Sequence, residues 1–354
     1  MQNNNRILYA DVLRILTMFV VVLFHVCTDR WFSSFDNPSE WYVLNIFVGG
    51  LRWCVPVFFM LSGMNFLDPD RNISYKKIFT KYLPHILCAL IFWSILYKGL
   101  AVLTNYVFGF KSVTPDNVIA VFTTFFFRES WYHLWFLYPL IGMYILTPVL
   151  RLITKNASKR DMTYLLLLYF IFAWFLPTVY SYTGKGLIFG VEGLAAYTGY
   201  FIAGYYFARY DLSPRYTRIL YFCGIILLIL TVGIHLVMSV YTGGSMFPNY
   251  FLYNSFNIAI IAFFVFVLVK KVINKGGVQK YHNNRYVALF SGCSFGIYLT
   301  HALFLNIIGG ILNINTSTFP AVLSVPVLAL VTYFCAFALT YFIKKIPVLG
   351  KWIV

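Results

Sequence analysis

Ten stretches of mostly apolar residues, each about 20 residues long, divide this chain from end to end. A helix of that length crosses the hydrocarbon core of a bilayer, because about 1.5 Å of rise per residue spans a core about 30 Å thick. The sequence therefore predicts an all-α fold, a polytopic transmembrane bundle of about ten helices. The stretches lie at roughly 8–28, 44–67, 82–105, 132–152, 161–180, 190–208, 217–240, 250–270, 286–311 and 320–343.

The composition agrees with a protein whose surface faces lipid. Apolar residues make up 60% of the chain and charged residues only 11%, whereas a soluble domain carries about 25% charged residues. The net charge is +16, but the basic residues form short clusters between the apolar stretches and not one patch for nucleic acid. Composition thus excludes an ordinary soluble enzyme, gives no sign of a nucleic-acid partner, and requires the lipid bilayer as solvent.

The distribution of lysine and arginine predicts the orientation of the bundle. If the N-terminus is cytoplasmic, the loops on that side hold 20 of the 27 basic residues, which is the bias of cytoplasmic loops. We therefore expect both termini in the cytoplasm. The stretch 106–131 contains an apolar run of only about 10 residues, too short to span, so we expect a short interfacial or re-entrant helix there on the outer side. We treat residues 1–354 as a single integral-membrane domain.

Ionisable side chains in the first predicted span are the main functional signal, since a charge in hydrocarbon is costly. Arg14 and His25 are eleven residues apart, about three helical turns, so they share one face and lie about 16 Å apart along the axis. Asp11 precedes Arg14 by three residues and can pair with it. A structural ion pair and a histidine at a helix end would explain the same pattern, and the first span alone does not decide between these interpretations.

Further polar and aromatic groups occur at the predicted outer level of the bundle. They are His133 and Trp135 at the start of the fourth span, Glu192 at the outer end of the sixth, and Tyr298 and His301 on one face of the ninth. An aromatic belt would also explain Trp135, and helix capping would explain Glu192. We interpret His85 and His235, which have no polar neighbours in the sequence, as structural. The histidines lack the spacing of metal ligands, so we expect no metal site.

Five segments, taken together, resemble the acyltransferase-3 family of integral-membrane O-acyltransferases. Their order along ten spans extends the resemblance over nearly the whole chain. It is nearest to the compact members without an extracytoplasmic hydrolase-like domain, such as the O-acetyltransferase that modifies enterobacterial common antigen. The segments are Asp11-x-x-Arg14 followed by His25, then Val55–Gly63, Tyr132–Leu137 with Tyr144 and Pro148, Phe201–Gly204, and Ser294–His301.

The resemblance implies an enzyme that transfers an acyl group, expected to be acetyl, from cytoplasmic acyl-CoA to a hydroxyl group. The acceptor it implies is a cell-surface glycan or its lipid-linked precursor. It also implies a multi-pass protein of a bacterial plasma membrane, with acetyl-CoA or another acyl-CoA as donor substrate and no permanently bound cofactor. In the family the arginine and histidine of the first helix are the functional pair, and a basic motif after the second span meets the CoA phosphates.

These implications assign roles to residues of this chain. His25 is predicted to be the general base or a transient acyl acceptor, because histidine exchanges protons near neutral pH. Arg14 is predicted to hold the donor, with Asp11 fixing its guanidinium, and Glu192 or His133 to orient His25 or the sugar. The predicted donor-binding residues are Arg14, Lys76, Lys77 and Lys81, and the predicted acceptor-binding residues are His133, Trp135, Tyr298 and His301.

Two other functions stay open at this point. A transporter or flippase of a lipid-linked sugar would use the same buried polar groups as a substrate path. A membrane partner subunit of a glycan-modifying system would need no chemistry of its own. The sequence does not decide the identity of the acceptor, the length of the acyl group, or whether copies assemble as a homo-oligomer.

Overall fold

A computed structural model describes residues 6–31, 34–35, 37–107, 114, 119, 121–122, 130–183, 194–242, 253–275 and 284–354. Over these ranges the chain forms helices and no strand, and nine of the helices are long and apolar enough to cross a membrane. The predicted all-α transmembrane bundle is therefore confirmed. In chain order, with the helix 194–209 included, we label them α1 Leu8–Asp29, α2 Pro38–Phe66, α3 Tyr75–Thr104, α4 Leu134–Asn156, α5 Lys159–Ser181, α6 Leu194–Arg209, α7 Pro214–Tyr241, α8 Phe256–Lys275, α9 Arg285–Ile311 and α10 Ala321–Lys344.

The helices correspond to the ten predicted spans, with two qualifications. The described part of α6 has 16 residues, and the first residues of its predicted span, 190–193, lie outside the described ranges. The short outer helix predicted within 106–131 lies almost entirely outside them as well. The second span begins at Pro38 and not near residue 44, because a proline suits the first helical turn and Glu40 there meets the positive end of the helix dipole.

Helix ends follow from local sequence. Ser158 accepts a hydrogen bond from the backbone N–H of Asp161, whose carboxylate in turn accepts from Ser158, and this capping box begins α5. Ser213 caps α7 just before Pro214, and Asn284 caps α9 through its side-chain oxygen. These short polar sequences stop and restart helices between spans, so the chain turns back and forth across the bundle.

Polar contacts join several loops at one end of the bundle. Arg151 of α4 donates hydrogen bonds to the carbonyl oxygen of Phe66, the last residue of α2, and to those of Asp68 and Arg71 in the loop that follows. Arg209, at the end of α6, pairs with Asp70 of the same loop at 2.7 Å. The loops predicted to be cytoplasmic therefore lie together. The side of the membrane that they face stays a prediction.

Lys270 of α8 caps the end of α6. Its buried ammonium donates to the carbonyl oxygens of Phe207 and Ala208, at 2.8 and 3.1 Å, and to a carboxylate oxygen of Asp211 at 2.9 Å. The hydrogen bond and the charge of Lys270 lower the pKa of Asp211, so the carboxylate stays ionised until the pH falls to that lowered value. The helix carbonyls that would otherwise lack partners are thus satisfied.

Replacing Lys270 with methionine should destabilise the protein by about 2 kcal/mol, because the charge-assisted hydrogen bonds that cap α6 are lost. Thermal unfolding in detergent measures the effect. Lys275→Met is the matched control, since Lys275 is an exposed lysine on the same helix. Equal melting temperatures for the two variants would contradict the capping role.

Helix α1 lies in the centre of the bundle, in contact with α2, α8, α9 and α10. Helices α2 and α6 meet at two glycines. A β-carbon on Gly63 would lie 1.7 Å from the carbonyl oxygen of Phe201, and one on Gly204 would lie 1.8 Å from that of Met60. Only glycine allows backbones to approach so closely. This contact fixes α2 against α6, and α2 also contacts α1 and borders an internal cavity.

Candidate active site

An internal cavity of about 330 Å³ lies between the helices, a volume in the range of small-molecule sites. Side chains of α1, α2, α3, α4 and α9 line it, and Arg14 and His25 of α1 are both among them. Because these residues are three turns apart, the cavity extends over about 16 Å of the α1 axis. The face of α1 that carries both groups thus points into the protein and not into lipid.

The arginine end of the cavity is held by a buried carboxylate. Asp11 accepts hydrogen bonds at one oxygen from Arg14, at 2.9 Å, and from the hydroxyl of Ser291, at 2.6 Å. Its other oxygen lies 3.6 Å from Nε of Arg6. The Arg14 side chain still keeps 30% of its surface accessible, because it faces the cavity. Asp11 and Ser291 therefore fix the direction of a cation that remains free to meet a ligand.

Three imidazole rings from three elements meet at the other end. We call His25, His133 and His301 the histidine cluster. The ring of His301 lies 5.2 Å from that of His25 and 4.9 Å from that of His133, measured between centroids. Nδ1 of His301 lies 2.7 Å from the carbonyl oxygen of Tyr298. A carbonyl only accepts, so Nδ1 carries the proton and Nε2 keeps its lone pair.

The histidine cluster shares this end with aromatic side chains. Tyr298 donates a short hydrogen bond from its hydroxyl to the carbonyl oxygen of His133, which ties α9 to the start of α4. Trp135 stacks on Tyr253 with 5.2 Å between ring centroids and an angle of 21°. Both rings line the cavity. Glu192, predicted to act at the same level, lies outside the described residues, and its role stays a prediction.

The lysines of the predicted donor motif lie outside the cavity. Lys76, Lys77 and Lys81 occupy the first two turns of α3, and the cavity wall includes none of them. Lys77 and Lys81 pack over the ring of Tyr82, with Nζ 6.0 and 5.8 Å from its centroid. That ring contacts Phe66 of the cavity wall at 4.9 Å. The ring of Tyr82 thus lies between these two lysines, Lys77 and Lys81, and the cavity wall.

Comparison with known proteins identifies the family. A family model described as an acyltransferase domain matches residues 7–341, which is nearly the whole chain. The chain belongs to the acyltransferase-3 family. A search of the curated proteins and a search of the solved structures found no significant match. Membership of this family, together with the apolar helices, makes the protein a multi-pass membrane acyltransferase.

In this acyltransferase His85 has a polar partner that the sequence did not predict. Its ring lines the cavity, and its Nδ1 lies 2.9 Å from the carbonyl oxygen of Lys351. A signal was present in the sequence: His85 follows Lys81 by one helical turn and so shares its face. Asn65 and Tyr253 also line the cavity. The sequence pattern did not single out these two residues, because neither side chain carries a charge at neutral pH.

His235 differs from His85. It is fully buried in α7, where its side chain packs against Gly49 of α2, and the cavity wall does not include it. Among the residues that the structure describes, no group of three or more His, Cys, Asp or Glu side chains is arranged to hold a metal ion. The polar chemistry of the cavity wall in this acyltransferase centres on Arg14 at one end and on His25 and His133 at the other. His301 packs against both of these rings but is not part of the wall.

Proposed function

We propose that this acyltransferase moves an acetyl group from cytoplasmic acetyl-CoA to a hydroxyl group of a cell-surface glycan or its lipid-linked precursor. One observation carries the proposal: Arg14 and His25, the pair that the family resemblance implies, line opposite ends of a single cavity. A fixed cation at one end suits an anionic or strongly polar donor. An imidazole at the other end suits proton transfer from a hydroxyl.

The chemistry at the histidine end is an acyl transfer from sulfur to oxygen. His25 takes the proton of the acceptor hydroxyl as the oxygen attacks the thioester carbonyl, and the carbon–sulfur bond then breaks. The proton passes from His25 to the departing CoA thiolate, so the products are the O-acyl ester and free CoA. His301 packs against His25, and His133 packs against His301 in turn; this packing restricts the orientation of the His25 ring and of the acceptor.

The donor is proposed to enter from the arginine end. The guanidinium of Arg14 is oriented by Asp11 and Ser291 and would hold the polar arm of the donor. The first turns of α3 supply Lys76, Lys77 and Lys81 as point charges for the phosphates. No resident cofactor is needed, since acetyl-CoA is itself a substrate.

The acceptor is proposed to bind at the histidine end. The flat faces of Trp135 and Tyr253, together with the nearby Tyr298, offer apolar surface with polar edges, as a sugar ring requires. With both termini cytoplasmic, this end faces outward, where surface glycans and their lipid-linked precursors are found. Such placement fits a compact O-acetyltransferase in the plasma membrane of a bacterium.

The proposal is tested with the purified full chain in lipid nanodiscs and acetyl-CoA labelled in the acetyl group. We expect release of free CoA and transfer of the label to lipid-linked glycan extracted from the host. Mass spectrometry of surface glycans from strains with and without the protein should show the loss of one acetyl ester. Unchanged acetylation, with lipid-linked sugar retained on the inner leaflet of the deletion strain, would overturn the proposal in favour of a flippase.

Ser291→Ala should lower kcat/KM for acetyl-CoA by about tenfold, which is about 1.4 kcal/mol. The change removes the hydroxyl that holds Asp11, so Arg14 loses its fixed direction. Ser294→Ala is the matched control, because Ser294 also lines the cavity but donates only to the backbone oxygen of Phe290, at 3.3 Å. Steady-state kinetics of both variants measures the effect, and equal losses in the two would contradict it.

A further inference from the structure

The cavity reaches the surface of the bundle beside His85. Gly292 of α9 is exposed, yet it lines the same cavity as the half-buried His85 of α3. These two residues therefore mark a mouth of the cavity. Basic side chains surround this mouth, and we call them the basic rim. Arg14 lines the same cavity further inside the bundle. A ligand that reaches Arg14 from this mouth passes the basic rim first.

Two lysines from distant parts of the chain flank this mouth. Lys344, at the end of α10, donates a short hydrogen bond to the carbonyl oxygen of Gly292. Lys81, near the start of α3, is one helical turn from His85, and both lysines act electrostatically on the His85 ring. Both side chains are exposed. The basic rim thus consists of Lys81, His85 and Lys344, and it is accessible to a solute.

The neighbouring lysine on α10 points elsewhere. Lys345 packs its ammonium over the rings of Tyr341 and Phe342, 4.5 and 5.8 Å from their centroids. Of the two adjacent lysines at the end of α10, only Lys344 therefore lies at the mouth of the cavity. This difference provides a control of the same residue type, in the same local charge environment.

We propose that Lys344, together with Lys81 of the predicted donor motif, binds the phosphate groups of the acyl donor's nucleotide at the basic rim, while the acyl-bearing arm extends past Arg14 towards His25. The inference rests on the proposed function, and it adds a donor contact from the last helix. Lysine binds phosphate as a point charge without a fixed fork, so two lysines from different helices can hold the flexible phosphate groups of the donor. His85, anchored on the Lys351 carbonyl, lines the cavity at this mouth.

The test compares two donors that share the acyl-bearing arm. They differ in the phosphorylated nucleotide attached to it. Acetyl-CoA carries the nucleotide phosphates, and S-acetylpantetheine carries none. Lys344→Gln and Lys81→Gln should each raise KM for acetyl-CoA about fivefold to tenfold, while KM for S-acetylpantetheine stays at the wild-type value. Lys345→Gln should change neither, and Lys344→Arg, which keeps the charge, should restore most of the acetyl-CoA affinity.

The outcomes separate this inference from the proposed function. If the wild-type protein transfers acetyl from neither donor, the proposed function fails. If it uses acetyl-CoA but Lys344→Gln leaves KM unchanged, the inference about the basic rim is overturned and the function stands. A rise in KM that is equal for both donors also overturns the inference, because it would report a structural role of the lysine and not contact with phosphate.

Discussion

Replacing His25 with alanine should lower the rate of acetyl transfer by about 10² to 10⁴-fold, the contribution of a positioned general base. His25 lines the cavity at the end opposite Arg14, and its ring lies 5.0 Å from that of Tyr132 and 5.2 Å from that of His301. Alanine removes the group that accepts the proton of the hydroxyl. Because the ring already borders a cavity, its loss enlarges that space and removes fewer packing contacts than the loss of a fully enclosed side chain would. Transfer of labelled acetyl to glycan measures the rate.

The design separates chemistry from folding. Thr28→Ala, three residues further along α1, removes a hydroxyl that donates to the backbone oxygen of His25 at 3.3 Å and should leave the rate near that of the wild type. KM for acetyl-CoA should be unchanged in His25→Ala, because the donor contacts lie at the arginine end. If His25→Ala is expressed normally, elutes as the wild type does and still acetylates the glycan fully, His25 is not the base.

The fold was largely predictable because lipid imposes a simple rule on sequence. Every backbone polar group within the hydrocarbon must be satisfied within the helix, so each span is a long apolar stretch. The bounds of α10, Ala321–Lys344, fall within two residues of the predicted 320–343. The start of α2 was less predictable. Glu40 is an acid in a mostly apolar helix, and its burial depends on Arg30, 3.7 Å away, and on Thr316 from the far end of the chain.

For the candidate site, the sequence predicted the helix face or the level of each residue, and not which side chains touch. Helical periodicity alone places Arg14 and His25 on one face, three turns apart. Periodicity does not predict the contacts between helices. The bond from Ser291 to Asp11 joins residues 280 apart, and the one from Lys344 to Gly292 joins α10 to α9. Periodicity gives the face of each helix and carries no information on the rotation of one helix against another.

Replacing Gly204 with alanine should destabilise the protein by about 3 kcal/mol or more. The added β-carbon would lie 1.8 Å from the carbonyl oxygen of Met60, and the atoms it meets are backbone, which cannot move aside as a flexible side chain can. Helices α2 and α6 must then separate, and the reciprocal contact at Gly63 opens with them. Because α2 supplies Phe58 and Leu61 to the cavity wall, activity should fall together with stability. Thermal unfolding in detergent measures the first effect.

Gly233→Ala is the matched control, and it should have the opposite sign. Gly233 lies within α7, and a β-carbon there would meet nothing within 4 Å. Alanine in a helix interior is favoured over glycine by about 0.5–1 kcal/mol, so this variant should be as stable as the wild type or slightly more stable. If helix propensity governed both sites, the two variants would shift the melting temperature alike. A Gly204→Ala protein as stable as Gly233→Ala would mean that α2 and α6 do not meet through their backbones.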